Sequence, residues 1–236
     1  MSPRQIAFLG ASTGVGLSAL KNCLEAGHQC VALCREPKKL DHLKGPNLRI
    51  IKGNAHNVEN VSQLILAPNG TLVDEIITTI GAKFSTSKMG MDQPDVCEKG
   101  MDVLIEAIAS LRKQGTTGAP HITACSSTGV SKFGRDLPLL MVPLYMSLKV
   151  PHADKVKMED KLAASGEKFT VIRASLLTNG DSDRVVRVGI EDPKKGFESK
   201  AIGYTISRED AGKWVARNLV QDMDAAYLNK NVVITY

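Results

Sequence analysis

The stretch Gln5-Ile-Ala-Phe-Leu9, Gly10-Ala-Ser-Thr-Gly14-Val-Gly16-Leu17, followed by Ser18 to Ala26, decides the fold. Its first residues form a short apolar run, its last carry a helical period, and three glycines fall between them. A strand that enters a helix through such a turn opens a βαβ unit. Gly10 lets the chain turn tightly, Gly14 removes a side chain where backbone must approach a pyrophosphate, and Gly16 lets the helix pack on the sheet. The first N–H groups of the helix lack intrahelical partners and lie at its positive end, so a loop of Ser12, Thr13 and Val15 between the glycines can hold phosphates. The spacing is GxxxGxG and not GxGxxG, so the placement between strand and helix carries the assignment.

Outward from this unit, apolar β-branched runs alternate with helical segments. The strand candidates are residues 5–9, 29–34, 48–52, 75–80, 121–126, 170–173 and 232–235. The clearest helix is 95–113, where Val96, Val103, Leu104, Ala107, Ile108 and Leu111 share one face. Another opens at Ser207-Arg-Glu-Asp210 as an approximate capping box and runs to about Asp222. The pattern predicts an α/β fold, a Rossmann-type doubly wound parallel sheet, in one domain over 1–236. Residues 132–153 break the alternation with Leu137, Leu139, Leu140, Met141, Val142, Leu144, Tyr145, Met146 and Leu148 between prolines. They read either as an irregular core segment or as a lid or wall over a pocket beyond the fifth strand. Met89 and Met91 are candidates for the opposite wall, or for plain packing.

The 236 residues are 43% hydrophobic, 23% charged and 4% aromatic, as in one globular domain. The net charge of +5 comes from 30 Lys and Arg against 25 Asp and Glu, interleaved and without a basic-aromatic stripe, which argues against nucleic acid. Five cysteines without a CxxC read as reduced core thiols. No apolar run suits a signal or a membrane span, so the cytosol is the expected location. No residue spacing suggests a metal site or a covalent nucleophile.

The end of the second strand, where an NAD-specific site places an acid for the ribose 2′-hydroxyl, holds Cys34-Arg35. Arg35 can fork to a 2′-phosphate, with Lys38 or Lys39 adding charge, which favours NADPH over NADH. Gly53-Asn54-Ala55 after the third strand, and Thr79-Ile80-Gly81-Ala82 after the fourth, are small or polar breaks on the same edge and are expected to flank adenine and ribose.

These residues, with Ala124-Cys125-Ser126-Ser127, the Met158 to Gly166 helix end and Ser207-Arg-Glu-Asp-Ala-Gly212, resemble over nearly the whole chain the atypical short-chain dehydrogenases of the NmrA-like, NAD(P)H-binding group, biliverdin-IXβ (flavin) reductase among them. The resemblance implies NADPH, with its nicotinamide near Ser126, Ser127 and Ala174-Ser175-Leu176-Leu177. It also implies a Ser, Tyr and Lys catalyst, the tyrosine as general acid. A YxxxK string occurs at Tyr145 and Lys149, but alignment on the later helix puts the family lysine at Lys155 and its tyrosine at Pro151. Pro143 and Pro151 also work against a long helix through Tyr145. Ser127, Lys155 and Tyr145 are therefore the catalytic candidates; His152 is a further possible donor, and Asp154 reads as the N-cap of the Lys155 helix.

The expected function is NADPH-dependent hydride transfer to an apolar, conjugated small molecule, by a monomer. The alternatives are a non-redox isomerisation or cyclisation on bound NADPH, and an NmrA-like redox-sensing regulator without turnover.

Overall fold

β1 (Gln5–Leu9) runs into α1 (Gly14–Glu25) through the glycine turn, and β2 (Gln29–Cys34) returns parallel to it, with Gln29 opposite Gln5 and Leu33 opposite Leu9. The alternation continues through β3 (Leu48–Lys52), α2 (Val58–Ile65), β4 (Glu75–Thr78), α3 (Val96–Lys113) and β5 (His121–Ser127). The structure, a computed structural model, describes residues 2–82, 84–85 and 90–236, and of 84, 85, 90 and 91 the backbone alone. Met89 and the side chain of Met91, suggested above as a pocket wall, lie outside the described residues.

After β5 come α4 (Val142–Ser147), α5 (Lys149–Ala164), β6 (Lys168–Ala174), β7 (Leu176–Thr178), β8 (Arg187–Asp192), β9 (Gly196–Ser199), β10 (Thr205–Ser207), α6 (Arg208–Val215) and β11 (Lys230–Thr235). The main sheet has nine strands in the order β9-β8-β11-β6-β5-β4-β1-β2-β3. From β11 to β3 all neighbours are parallel, the Rossmann-type arrangement expected. Helices cover both faces. Val61, Leu64, Leu104, Ile108, Met158 and Leu162 from α2, α3 and α5 pack on one face with Leu9, Ile76 and Val171. Ala19, Leu20, Trp214 and Val215 from α1 and α6 pack on the other with Phe8, Ile77 and Ile172. A strand buried on both faces must be apolar throughout, which is why β1, β4 and β5 read as continuous hydrophobic runs.

The antiparallel hairpin β8–β9 outside β11 is absent from the sequence reading, as is the small parallel ribbon β7–β10. Arg187-Val-Gly-Ile-Glu-Asp192 is short and charged, and its legible signal is the turn after it. There Asp192 accepts the N–H groups of Lys194 and Lys195, both at 2.9 Å, and Gly196 adopts φ 94°.

One local expectation is corrected, and one of two alternatives is set aside. α5 begins at Lys149, so Asp154 is not its N-cap. Its buried carboxylate instead accepts the N–H groups of Cys97 (2.9 Å) and Glu98 (2.8 Å), capping the first turn of the neighbouring α3. The 132–153 stretch is not a core segment: Leu137 and Tyr145 are buried, but Leu139 and Leu140 are 71% and 81% exposed. Prolines shape it, with Pro143 in the first turn of α4 and Pro151 in the first turn of α5, where no helical N–H is lost. At Ser207 the expected cap forms, its hydroxyl accepting the Asp210 N–H at 2.9 Å.

All five cysteines are free, and only Cys125 has appreciable exposure. Burial pushes the Cys30 and Cys97 thiols up to about 12, which fits the unreactive core thiols expected. No helix among the described residues is long and apolar enough to cross a membrane.

Candidate functional site: a cleft across the strand ends

The chain leaves β1 for β2 on one side and reaches β4 on the other, so a crevice opens between β1 and β4 at the carboxyl ends of the strands. Two adjoining recesses occupy it, and Thr13, Thr79, Ile80 and Gly81 line both.

The glycine loop forms the floor. Gly10 (φ 89°) and Gly14 (φ 62°) adopt left-handed backbone that other residues rarely accept. A Cβ on Gly10 would lie 2.9 Å from Ile80 N, and one on Gly16 would lie 2.3 Å from Thr79 Oγ1. Gly16 does not line the cleft; its bareness lets α1 close on Thr79, the packing role read from sequence. The residue preceding α1, Thr13, makes no side-chain cap, and the first turn has no acid. The first N–H groups of α1 thus face the cleft uncapped, as a phosphate requires. This bare cradle fits a dinucleotide.

The first recess, about 140 Å³, is lined by Gly10, Ser12, Cys34, Arg35, Glu36, Lys39, Gly53, Asn54, Ala55 and His56. Arg35 is exposed at the end of β2, where it was expected. Lys39 lines this recess and Lys38 does not; Lys39 Nζ pairs with Glu36 Oε1 at 2.8 Å. Asn54 Oδ1 accepts the His56 N–H, and Asn60 Oδ1 accepts the Asn54 N–H, which fixes the loop after β3.

The second recess, about 360 Å³, brings together Val15, Cys125, Ser126, Ser127, Tyr145, Leu148, Lys155, Ala174, Ser175, Leu176, Leu177 and Arg208. The three catalytic candidates therefore meet in one place. The Ser126 hydroxyl is turned inward to Glu159 Oε1 at 2.5 Å, so Ser127 is the serine left facing the cleft. Lys155 is half-buried, not a solvated helix lysine, and donates from Nζ to Cys125 O at 2.9 Å. Burial penalises its ammonium, but Cys97, Cys125, Glu159 and Asp154 outweigh that penalty and hold its pKa above the usual lysine value. It stays a cation.

Tyr145 comes from α4 and not from the Lys155 helix. Its hydroxyl lies 3.1 Å from Thr128 Oγ1, and Ser127 lines the same recess. Burial raises its pKa above the ordinary phenol value, with Asp136 adding to the rise, against the lowering by Thr128 and Ser127. Lys149, its YxxxK partner by sequence, does not line this recess and faces a neighbouring chamber, which Tyr145 also lines. Tyrosine and lysine thus meet across ten residues of chain instead of four. The two prolines signalled that no single long helix runs through Tyr145, but nothing in the sequence pointed to Lys155 as its neighbour across the break at Leu148 between α4 and α5.

Three further residues were missed. Thr128 holds the phenol. Gly129 (φ 83°) makes room for it: a Cβ there would lie 2.6 Å from Tyr145 Cδ1. Arg208, read only as part of a cap, donates from Nη1 to Leu177 O, Thr178 O and Asn179 Oδ1, and its Cδ passes 3.4 Å from the place of a Gly14 Cβ. The loop Ser127-Thr-Gly-Val130 is a readable turn, but nothing in it announces a tyrosine arriving from elsewhere.

Residues 10–222 match the model of the NAD(P)H-binding family. The chain is 37% identical to the reductase pytE of Aspergillus terreus, over 98% of this chain and 97% of that protein. It is 32% identical to the oxidase pynE of Aspergillus niger, over 100% and 99%. Among solved structures, a short-chain dehydrogenase/reductase of Veillonella parvula in complex with NADP superimposes with TM-score 0.75 at 12% identity, covering 100% of this chain and 95% of that one. ChuY, an anaerobillin reductase of Escherichia coli O157:H7, does so with TM-score 0.69 at 15% identity, over 98% and 96%.

Proposed function

This chain belongs to the NAD(P)H-binding family, and from that premise we propose that it is an NADPH-dependent reductase that transfers a hydride to an apolar, conjugated small molecule. The observation that carries the reading is Tyr145, protonated and held by Thr128, in the same recess as Ser127 and the Lys155 cation and at one end of the glycine-floored cleft.

When bound, the dinucleotide supplies the hydride. The chain's own residues do the rest. The first turn of α1 receives the phosphates, and Arg208, reaching over Gly14 from α6, adds a cation beside them. Ser127 donates to the acceptor oxygen or its equivalent. Tyr145 gives up the proton that balances the incoming hydride, and solvent restores it. Lys155, fixed on Cys125 O, places a positive charge where negative charge develops. The relatives are named for opposite directions, a reductase and an oxidase. A phenol keeps its proton at neutral pH and is therefore available for donation in the reductive direction, although burial makes Tyr145 a weaker acid than an ordinary phenol. The non-redox alternative rested on a missing tyrosine acid; Tyr145 in the cleft removes that motive.

The preference for NADPH rests on Arg35 at the end of β2. Arg35→Ala is expected to weaken NADPH binding by about tenfold and leave NADH binding unchanged, since one exposed charge-assisted contact contributes on the order of 1.5 kcal/mol. Fluorescence titration with both nucleotides measures it; parallel losses for the two would overturn the assignment. Turnover is tested by following nicotinamide absorbance with a panel of quinones, flavins and tetrapyrroles. Binding without consumption across the panel would favour a sensor instead.

A further inference from the structure

Beyond the Tyr145 ring lies a second, open chamber of about 430 Å³, within the size range of small-molecule sites, about 300–1,000 Å³. Leu137, Val142, Met146 and the Tyr145 ring give it an apolar wall, and the exposed Leu139, Leu140 and Leu144 belong to the same segment. Its charges are uneven. Among the described residues Lys149 has no ion pair, and Arg135 has none either, its guanidinium donating to Leu137 O at 2.5 Å. The one acid in the lining, Asp136, is turned inward: Oδ1 accepts the Gly129 N–H at 2.8 Å, and Oδ2 is buried. His152, its ring centroid 5.4 Å from that of Tyr145, is held neutral by burial and by the charge of Lys155. The chamber is thus an apolar surface with two cations on its lining and no accessible anion to match them.

We infer that this chamber seats the body of the acceptor, and that the acceptor is an apolar molecule bearing one acidic group, its anion held by Lys149 and Arg135 while its reducible end reaches Tyr145. The inference rests on the reductase reading for the role of Tyr145, but the chamber's choice of ligand is separable from turnover. Lys149 and Tyr145 are one helical turn apart in sequence, so the YxxxK string gains a different meaning: its tyrosine serves the reaction and its lysine selects the substrate.

A pair of fluorescent probes tests it without turnover. With saturating NADP⁺ at low salt, 1-anilinonaphthalene-8-sulfonate is expected to bind saturably and about two- to fivefold more tightly than neutral N-phenyl-1-naphthylamine, the range for a partly exposed charge pair. Lys149→Gln, an exposed side chain without a structural partner, should bring the anion down to the neutral probe and leave the neutral probe unchanged. Arg135→Gln should act in the same direction, with melting temperature checked because Arg135 also holds Leu137 O. Met146→Glu, placing a carboxylate on the apolar wall, should weaken the anion most. Equal affinities for the two probes, or a Lys149→Gln protein that binds both as before, overturns the inference. Failure of the reductase reading would appear elsewhere, as an absence of NADPH consumption across the acceptor panel.

Discussion

On the proposed mechanism, Tyr145 concentrates the chemistry in one hydroxyl. Tyr145→Phe is expected to lower kcat by about a hundredfold, the low end for a general acid, with NADPH affinity unchanged in a direct titration. The pH dependence has a defined sign. Because the Tyr145 pKa lies above the ordinary phenol value, about 10, the phenol remains a donor from neutral pH through about pH 9, and reduction should be flat there and decline only at higher pH. The reverse oxidation needs the phenolate, so its rate should climb with pH over the same interval; pH profiles in both directions check this. Gly129 is the companion residue, since a Cβ there would meet the ring at 2.6 Å. Gly129→Ala should lower kcat by about tenfold, judged by how steeply rate falls with misplacement, while nucleotide binding stays as it was. A mutant with wild-type kcat would mean that the ring is not held by this contact.

At the level of elements, α3 and α5 are tied by a side chain as well as by packing. Asp154 accepts two first-turn N–H groups of α3, so Asp154→Ala is expected to cost about 2–3 kcal/mol, a lost charged cap together with donors left buried. Urea denaturation measures the cost, and Asp154→Asn should recover part of it. Which elements could be foreseen follows from how each is stabilised. β1, α1 and β2 were legible because burial on both faces, one helical stripe and three glycines each leave a local mark. β8 and β9 were not, because a short edge hairpin half open to solvent carries no long apolar run. The proposed cofactor half of the site follows from the sequence for the same reason: it is built from backbone at strand ends, whose positions follow from the strands. The acceptor half does not, because Tyr145, Thr128, Gly129 and Arg208 meet only through tertiary turns.

Over the whole molecule, the antiparallel arm is fastened by charge. Arg173 on β6 lies buried between Glu159 of α5 (2.6 Å) and Glu191 of β8 (2.8 Å), and Lys230 of β11 bridges Asp192 and Glu198 of the arm. Lys230 and the N–H groups of Lys194 and Lys195 depress the Asp192 pKa to about 2. A depressed carboxylate contributes stability that is present above its unfolded value, about 3.9, and is lost as pH falls through the folded value. Melting temperature should therefore drop between about pH 4 and pH 2, and Asp192→Asn should flatten that part of the curve. A mutant with an unchanged acid limb would place the acid sensitivity elsewhere.

The break at Leu148 has an evolutionary meaning as well as a geometric one. Where tyrosine and lysine share one helix, neither can move without the other, and any insertion between them destroys the site. Here the lysine is fixed to the sheet through Cys125 O, while the tyrosine hangs on a separate short helix that also walls the neighbouring chamber. On the proposed reading, lengthening or trimming residues 130–141 would reshape the acceptor's seat without disturbing the nucleotide's. A fixed tyrosine-to-lysine spacing therefore finds a match in this chain but pairs Tyr145 with Lys149, the lysine that does not line its recess.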